Sequence, residues 1–267
     1  DFDIHEQPTC PKPSNLQVTG QTANSISLSW TSGGATNWQI EYGINGFTPG
    51  TGTVVTTGAN PFTVTGLSSS TTYDFYVRDS CGATDKSDWF GAATQTTDCL
   101  PLLAPYFENF DGNQWQPGMN FNDTGSIAPC WNRMPSSIYF WKPGPPAFVS
   151  TLTGPSSDHT TGNGKFLYTE SIGFGAAPLT ANSETPFIDL SSLTTPELRF
   201  YYHMFGADIG SLHIEIDNGS GYTSLATITG QQHTAQALPW TERAILLSAY
   251  ANDTVRIRFR AVRTVTG

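Results

Sequence analysis

A chain of 267 residues is longer than one ordinary domain and matches the length of about two. It sets 12 Lys and Arg against 22 Asp and Glu, a net charge of −10, which excludes the clustered basic surface that nucleic-acid binders depend on and disfavours adhesion to anionic lipid. Charged residues are only 13% and hydrophobic ones 37%, and no run approaches the ~18 apolar residues of a spanning helix, so a helical membrane protein is excluded too.

Thr, Ser, Gly, Asn and Pro take the place of the missing charges, which favours strands and turns. Residues 1–9 read as a polar leader. They show neither the basic region nor the apolar core of a signal peptide, so the chain is read as mature or cut from something longer. From Cys10 to Thr97 the hydrophobic period is 2. Leu16 and Val18 alternate with polar neighbours, as do Ile26, Leu28 and Trp30, then Trp38, Ile40 and Tyr42, then Tyr73, Phe75 and Val77. Turn clusters such as Ser32-Gly33-Gly34, Pro49-Gly50 and Leu67-Ser68-Ser69-Ser70 separate the runs. Short alternating strands at this spacing predict a β-sandwich. The four cysteines, Cys10, Cys81, Cys99 and Cys130, contain no C-x-x-C pair, so a zinc ribbon or thioredoxin-like site is not expected. An even count in such a chain predicts two disulfides and an oxidising compartment, with three connectivities open.

A new unit begins after Thr97. Tyr106-Phe107-Glu108-Asn109-Phe110-Asp111 is followed by Cys130-Trp131, by Pro155-Ser156-Ser157-Asp158-His159-Thr160, and by Phe166-Leu167-Tyr168. Three further alternating runs follow: Leu198 to Tyr202, Leu212 to Asp217 and Val255 to Arg260.

These residues carry two family resemblances. Pro11-Lys12-Pro13, Ser27-Leu28-Ser29-Trp30 and the Leu67 to Val77 stretch resemble strands A, B and F of a fibronectin type III domain, with Tyr73 as its corner tyrosine. Cys10 and Cys81 are unusual additions for that family. The Phe-Glu opening, the Cys-Trp, the Asp-His-Thr loop, Tyr202-His203-Met204-Phe205-Gly206 and the late Val-Arg-Ile-Arg-Phe strand resemble a MAM domain in order. The predicted fold is therefore all-β, a fibronectin type III (immunoglobulin-like) β-sandwich over residues 10–97 and a MAM-type jelly roll over 98–267. The resemblances imply Cys10–Cys81 and Cys99–Cys130 bridges, and a MAM unit that stops short of its usual last strand, leaving one sheet edge open.

The chain lacks H-E-x-x-H, G-x-S-x-G, the phosphate-cradling G-x-x-x-x-G-K and G-x-G-x-x-G. Ser157, Asp158 and His159 are consecutive and cannot form a relay. Glu215 and Asp217 share one strand face, as a carboxylate pair or as a solvated edge. The MAM resemblance implies a structural cation, Ca²⁺ or Na⁺, on Glu108, Asp111 and Asp158. The plainer alternative is that these carboxylates cap turns. No organic cofactor is implied. Two groups of residues are candidate ligand contacts. Tyr139 and Trp141, beside a Pro/Gly loop that starts at Ile138, suit stacking on sugar rings if exposed. Arg199, Tyr201, Arg256 and Arg258 alternate with apolar residues and suit planar polar recognition on one shared face, or else a merely solvated ion-paired surface. Three sequons, at Asn122, Asn218 and Asn252, matter only in a eukaryotic secretory host.

The pairing looks like that found in large secreted or surface proteins of Bacteroidetes. It implies a secreted or cell-surface segment, bacterial in origin and non-catalytic, that attaches a larger protein to a polysaccharide or an extracellular matrix protein. The alternative is a pair of spacers stabilising a catalytic domain of the same parent chain.

Overall fold

The computed structural model describes residues 9–119, 123–134, 139–150, 153–170, 179–207 and 209–264. The expectations placed on most of the leader, on Asn122, on Ile138 and on residues 265–267 lie outside these. The chain divides into two compact units, Asp1–Leu100 and Pro101–Gly267. Among the described residues strands dominate both units, with two single-turn 3₁₀ segments.

The first unit is the expected sandwich. One sheet runs in the order β1 (Ser14–Gln21), β2 (Ser25–Thr31), β5 (Phe62–Thr65). The other runs β4 (Thr53–Thr57), β3 (Trp38–Ile44), β6 (Thr72–Asp79), β7 (Phe90–Thr96). Ile26, Leu28 and Trp30 of β2 meet Trp38 and Ile40 of β3 and Phe75 and Val77 of β6 in one buried cluster. The two tryptophans cross edge to face at 5.4 Å. The Tyr73 hydroxyl accepts a hydrogen bond from the Ser68 backbone (3.0 Å), as a corner tyrosine does. Period-2 reading misjudged Glu41, which faces away from this cluster and yet is fully buried. The 47–52 loop folds over it, and its carboxylate accepts hydrogen bonds from the Gly50 and Gly52 amides at 2.7 Å each. A Cβ at Gly52 would sit 2.7 Å from the Tyr42 carbonyl, so the wrap needs glycine there. Cys10 and Cys81 are bridged, Cys99 and Cys130 are likewise disulfide-bonded, and no thiol is free.

The second unit stacks two sheets. The larger runs β16 (Tyr222–Thr229), β15 (Ile209–Asp217), β18 (Thr254–Arg263), β12 (Leu179–Glu184), β9 (Asn132–Met134). Short β13 (Ile188–Asp189) pairs with β18 and with β8 (Leu102–Leu103). Opposite lie β14 (Glu197–Tyr202) and β17 (Thr241–Leu246), which pair with each other. A further ladder joins β10 (Lys142–Gly144) to β11 (Phe166–Tyr168). The core fills the gap: Leu212, Ile214 and Ile216 of β15 and Val255, Ile257 and Phe259 of β18 face Leu198, Phe200 and Tyr202 of β14. A second small cluster gathers Trp115, Ala128 and Trp131 with Phe110, four rings or methyls packed edge to face.

Candidate functional site

Because the apolar residues of β15 and β18 turn inward, their alternate residues must turn outward. His213, Glu215 and Asp217 therefore stand beside Arg260, Arg258 and Arg256 in register. Glu215 is the hub. Its Oε2 accepts from Arg258 Nε at 2.6 Å, and its Oε1 accepts from Arg260 Nε and Nη2 at 3.1 and 2.9 Å. Glu184, on the far side of β18, lies 3.6 Å from Arg256 and accepts a hydrogen bond from Asn132 of β9 at 3.0 Å. Two rings lie under the guanidinium groups, with the guanidinium carbon of Arg258 3.5 Å from the centroid of Tyr222 of β16 and that of Arg256 4.2 Å from the centroid of Phe187. The network thus crosses five of the seven strands of the large sheet.

Its electrostatics are closed. Three arginines face Glu184, Glu215 and Asp217, so formal charge cancels. Burial alone would raise the Glu215 carboxyl, but the hydrogen bonds and charges of Arg260 and Arg258 outweigh it and hold it below its ordinary value. Burial first, then the hydrogen bond to Glu184, pushes the Tyr222 hydroxyl up. Burial and the nearby Arg260 lower His213. Asp217 accepts from the Gly219 and Gly221 amides and so shapes the β15–β16 turn. Glu215 and Asp217 are each committed to separate structural work and do not form an acid–base couple.

The remaining candidates fall elsewhere. Arg199 and Tyr201 sit on β14, in the opposite sheet, and point away from the core on that side, so the single shared face expected of Arg199, Tyr201, Arg256 and Arg258 does not exist. Arg199 binds Glu197 (2.7 Å) and Glu242 (2.9 Å), Tyr201 donates to Glu242 (2.9 Å), and the His159 ring stacks on Tyr201 at 3.5 Å. Of the sugar-stacking pair, Tyr139 is not exposed as stacking would require, and Trp141 is only half-buried. Tyr139 is only 5% exposed and packs on Ala181 and Ala261, which are paired across β12 and β18. Two small residues side by side leave a hollow that the ring fills, and its hydroxyl meets Thr169. Trp141 leans on the same cluster and donates its indole N–H to the Ala181 carbonyl.

The cation set does not assemble either. Among the described residues no group of three His, Cys, Asp or Glu stands where it could hold a metal ion. Glu108 accepts from the Phe110 amide (2.8 Å) and the Tyr106 hydroxyl (3.2 Å). Asp158 accepts from the Thr160, Thr161 and Gly164 amides (2.8, 2.8 and 2.6 Å), which overcome its burial and lower its carboxyl. Asp111 accepts from the next amide, Lys165, at 2.7 Å. The first segment of the unit is thus tied to the Asp-His-Thr loop, as the resemblance implied, but by adjacent backbone amides. These carboxylates instead hold the two segments through backbone amides.

Comparison with known proteins settles the family. The model of the MAM domain, described as meprin/A5/mu, matches residues 120–267, more than half of the chain. The chain belongs to the MAM family. Ahead of the MAM match, the fibronectin type III model matches residues 11–91. Among curated proteins, neuropilin-1a of Danio rerio is 35% identical over 108 residues, covering 36% of this chain. The chain spans about 10% of that protein's length. Among solved structures, the fibronectin type III domain of human collagen alpha-1(XX) is 26% identical with a TM-score of 0.31, covering 37% of this chain and 94% of that one. The FN5 domain of Drosophila Lar is 22% identical with a TM-score of 0.27, covering 32% and 94%. The fibronectin–MAM pair is thus built from extracellular, adhesion-type modules that are typically non-catalytic. No helix among the described residues is long and apolar enough to cross a membrane.

Glu184, Tyr222 and Phe187, which complete the arginine face, escaped sequence reading. They lie on three different elements, and only the order of strands brings them to one ladder. The alternation of Arg256, Arg258 and Arg260 was the one local signal.

Proposed function

We propose that the fibronectin–MAM chain attaches a larger extracellular protein to a protein partner of the matrix, and that the outer face of the large MAM sheet makes the contact. The observation that carries this reading is the arginine–glutamate network across five strands. Its guanidinium groups are anchored over Tyr222 and Phe187 and by Glu215, so a partner meets donors whose positions are already constrained. Charge cancellation favours a polar protein surface over a polyanion. A polysaccharide partner loses support because Tyr139 is buried and Trp141 is half-buried against the same cluster. The test is binding of the purified chain to arrays of extracellular matrix proteins and polysaccharides, beside an Arg256→Gln variant with an unchanged unfolding profile. Capture by a matrix protein, weakened at least tenfold in the variant, supports the reading. Capture by polysaccharide alone, or equal binding by the variant, refutes it.

A second reading, a spacer that docks against a catalytic domain of the same parent chain, is favoured by a different observation. Leu103, Phe107 and Met119 of the MAM unit are 73%, 77% and 93% exposed within 17 residues of sequence, an apolar display suited to a neighbouring surface.

A further inference from the structure

His203 directly follows β14, and His233 lies in the connection from β16 to β17. Their rings stack face to face, centroids 4.1 Å apart and planes 18° from parallel. His233 is 4% exposed. Its Nδ1 accepts the Met204 amide hydrogen at 3.0 Å, so that nitrogen carries no proton, and the ring's own hydrogen sits on Nε2, 3.2 Å from Thr241 Oγ1. Both ring nitrogens of His203 are buried and make no well-aligned hydrogen bond, although the Ala235 backbone lies near enough to favour a proton on the ring. Trp240 closes one side of the pair at 6.0 Å from His203, and Tyr202 meets the His233 ring edge-on at 6.0 Å. The charged side chains on the adjoining strands are engaged away from the pair: Arg199 of β14 and Glu242 of β17 bind each other, and Arg243 of β17 is exposed.

The same connection fastens other parts of the unit. The Gln232 and His233 amides both donate to the Met204 carbonyl. Gln236 donates its side-chain amide to the Thr153 carbonyl and accepts from the Ser156 amide, and the Trp240 indole donates to the Ser157 carbonyl. The 153–161 segment held this way lays His159 on Tyr201. Contacts therefore run unbroken from the imidazole pair to the outer face of β14.

We propose that the His203–His233 stack is an acid-sensitive clasp, whose protonation releases the 231–240 connection and, with it, the 153–161 segment that covers Tyr201. A proton added to His203 puts a cation about 4 Å from the stacked His233 ring in a buried site, where an ion is costly. Burial first, then the neighbouring His233, lowers His203 from 6.5 to about 4. The folded form of a group lowered in this way binds fewer protons than the open one. The clasp is therefore closed above pH 6.5 and weakens as pH falls toward 4. By proton linkage at this single site, its opening equilibrium at pH 4.5 rises roughly 60-fold over pH 7.

The experiment is amide exchange of the full chain at pH 7.0 and 4.5, with times scaled to the intrinsic rates, read on peptides covering 203–207 and 230–241. Protection there should fall by tens of fold at pH 4.5, while β15 and β18 keep theirs. His203→Phe, which keeps a stacking ring without a titrating nitrogen, should abolish the fall, as should His203→Gln if the first variant does not fold. Equal protection at both pH values, the same loss in the variants as in the parent chain, or loss spread over β15 and β18 would each overturn the clasp.

Discussion

Replacing Glu215 with Gln tests the arginine face most directly. The change preserves shape but removes the charge and turns one of the two oxygens that accept from Arg258 and Arg260 into an NH2 donor, which faces an arginine donor. Breaking a buried ion pair by removing one partner costs about 3–5 kcal/mol. The Glu215 side chain is 10% exposed and its two arginines 20% and 27%, so solvent screens part of that and about 2–3 kcal/mol is expected. For a unit of this size, 1 kcal/mol moves Tm by roughly 2–4 °C, which puts the expected loss at about 5–10 °C. Differential scanning calorimetry of the whole chain at pH 7 should show the transition of the MAM unit shifted by that amount and the fibronectin transition unmoved. The sign of the pH dependence follows from the same carboxyl. Glu215 titrates below its ordinary 4.5 in the folded unit, so its contribution is present above pH 4.5 and fades as pH falls below it. The gap between parent and variant should therefore close toward pH 3. A shift under 1 °C at pH 7, or a gap that persists unchanged at pH 3, would refute the idea that Glu215 organises the face through its charge.

Two further outcomes concern the fibronectin unit. Cys10→Ser with Cys81→Ser opens a loop of 71 residues, for which chain entropy gives a loss of about 4 kcal/mol, measurable as a lower denaturant midpoint of that unit under non-reducing conditions. A change below 1 kcal/mol would mean that the reduced chain already holds its first strand in place. Tyr73→Phe strips the acceptor from the Ser68 amide and should lower stability by about 1–2 kcal/mol in urea titration, with no change in slope.

The fold was legible because period 2 and ordered motifs persist across strands. Ile26, Leu28 and Trp30 are core because they alternate, and Tyr73 is a corner because its neighbours spell one. The candidate site was less legible, since contact across a sheet depends on strand order. β14 and β18 carry similar polar–apolar alternation, and nothing local says that they belong to opposite layers. Tyr139 and Trp141 misled for a related reason. A ring beside a Pro/Gly loop stays exposed only if no hollow lies beneath it, and the hollow here comes from Ala181 and Ala261, distant in sequence and small in volume. Asp158 and Asp111 do meet at one loop, but a carboxylate that takes backbone amides is indistinguishable in sequence from one that takes a cation.

The position of β18 has a consequence for how the protein is made. This strand is the spine of the large MAM sheet, pairing with β15, β12 and β13, yet it begins only at Thr254. During synthesis the ribosome delivers β12 and β15 some time before their common partner. Until then both present bare backbone edges beside a nascent apolar layer, the state from which mispairing between neighbouring chains starts. Any interruption of translation upstream of Thr254 leaves a MAM half-sheet with nothing to zip it, and such fragments should be found in aggregates or in the grip of chaperones.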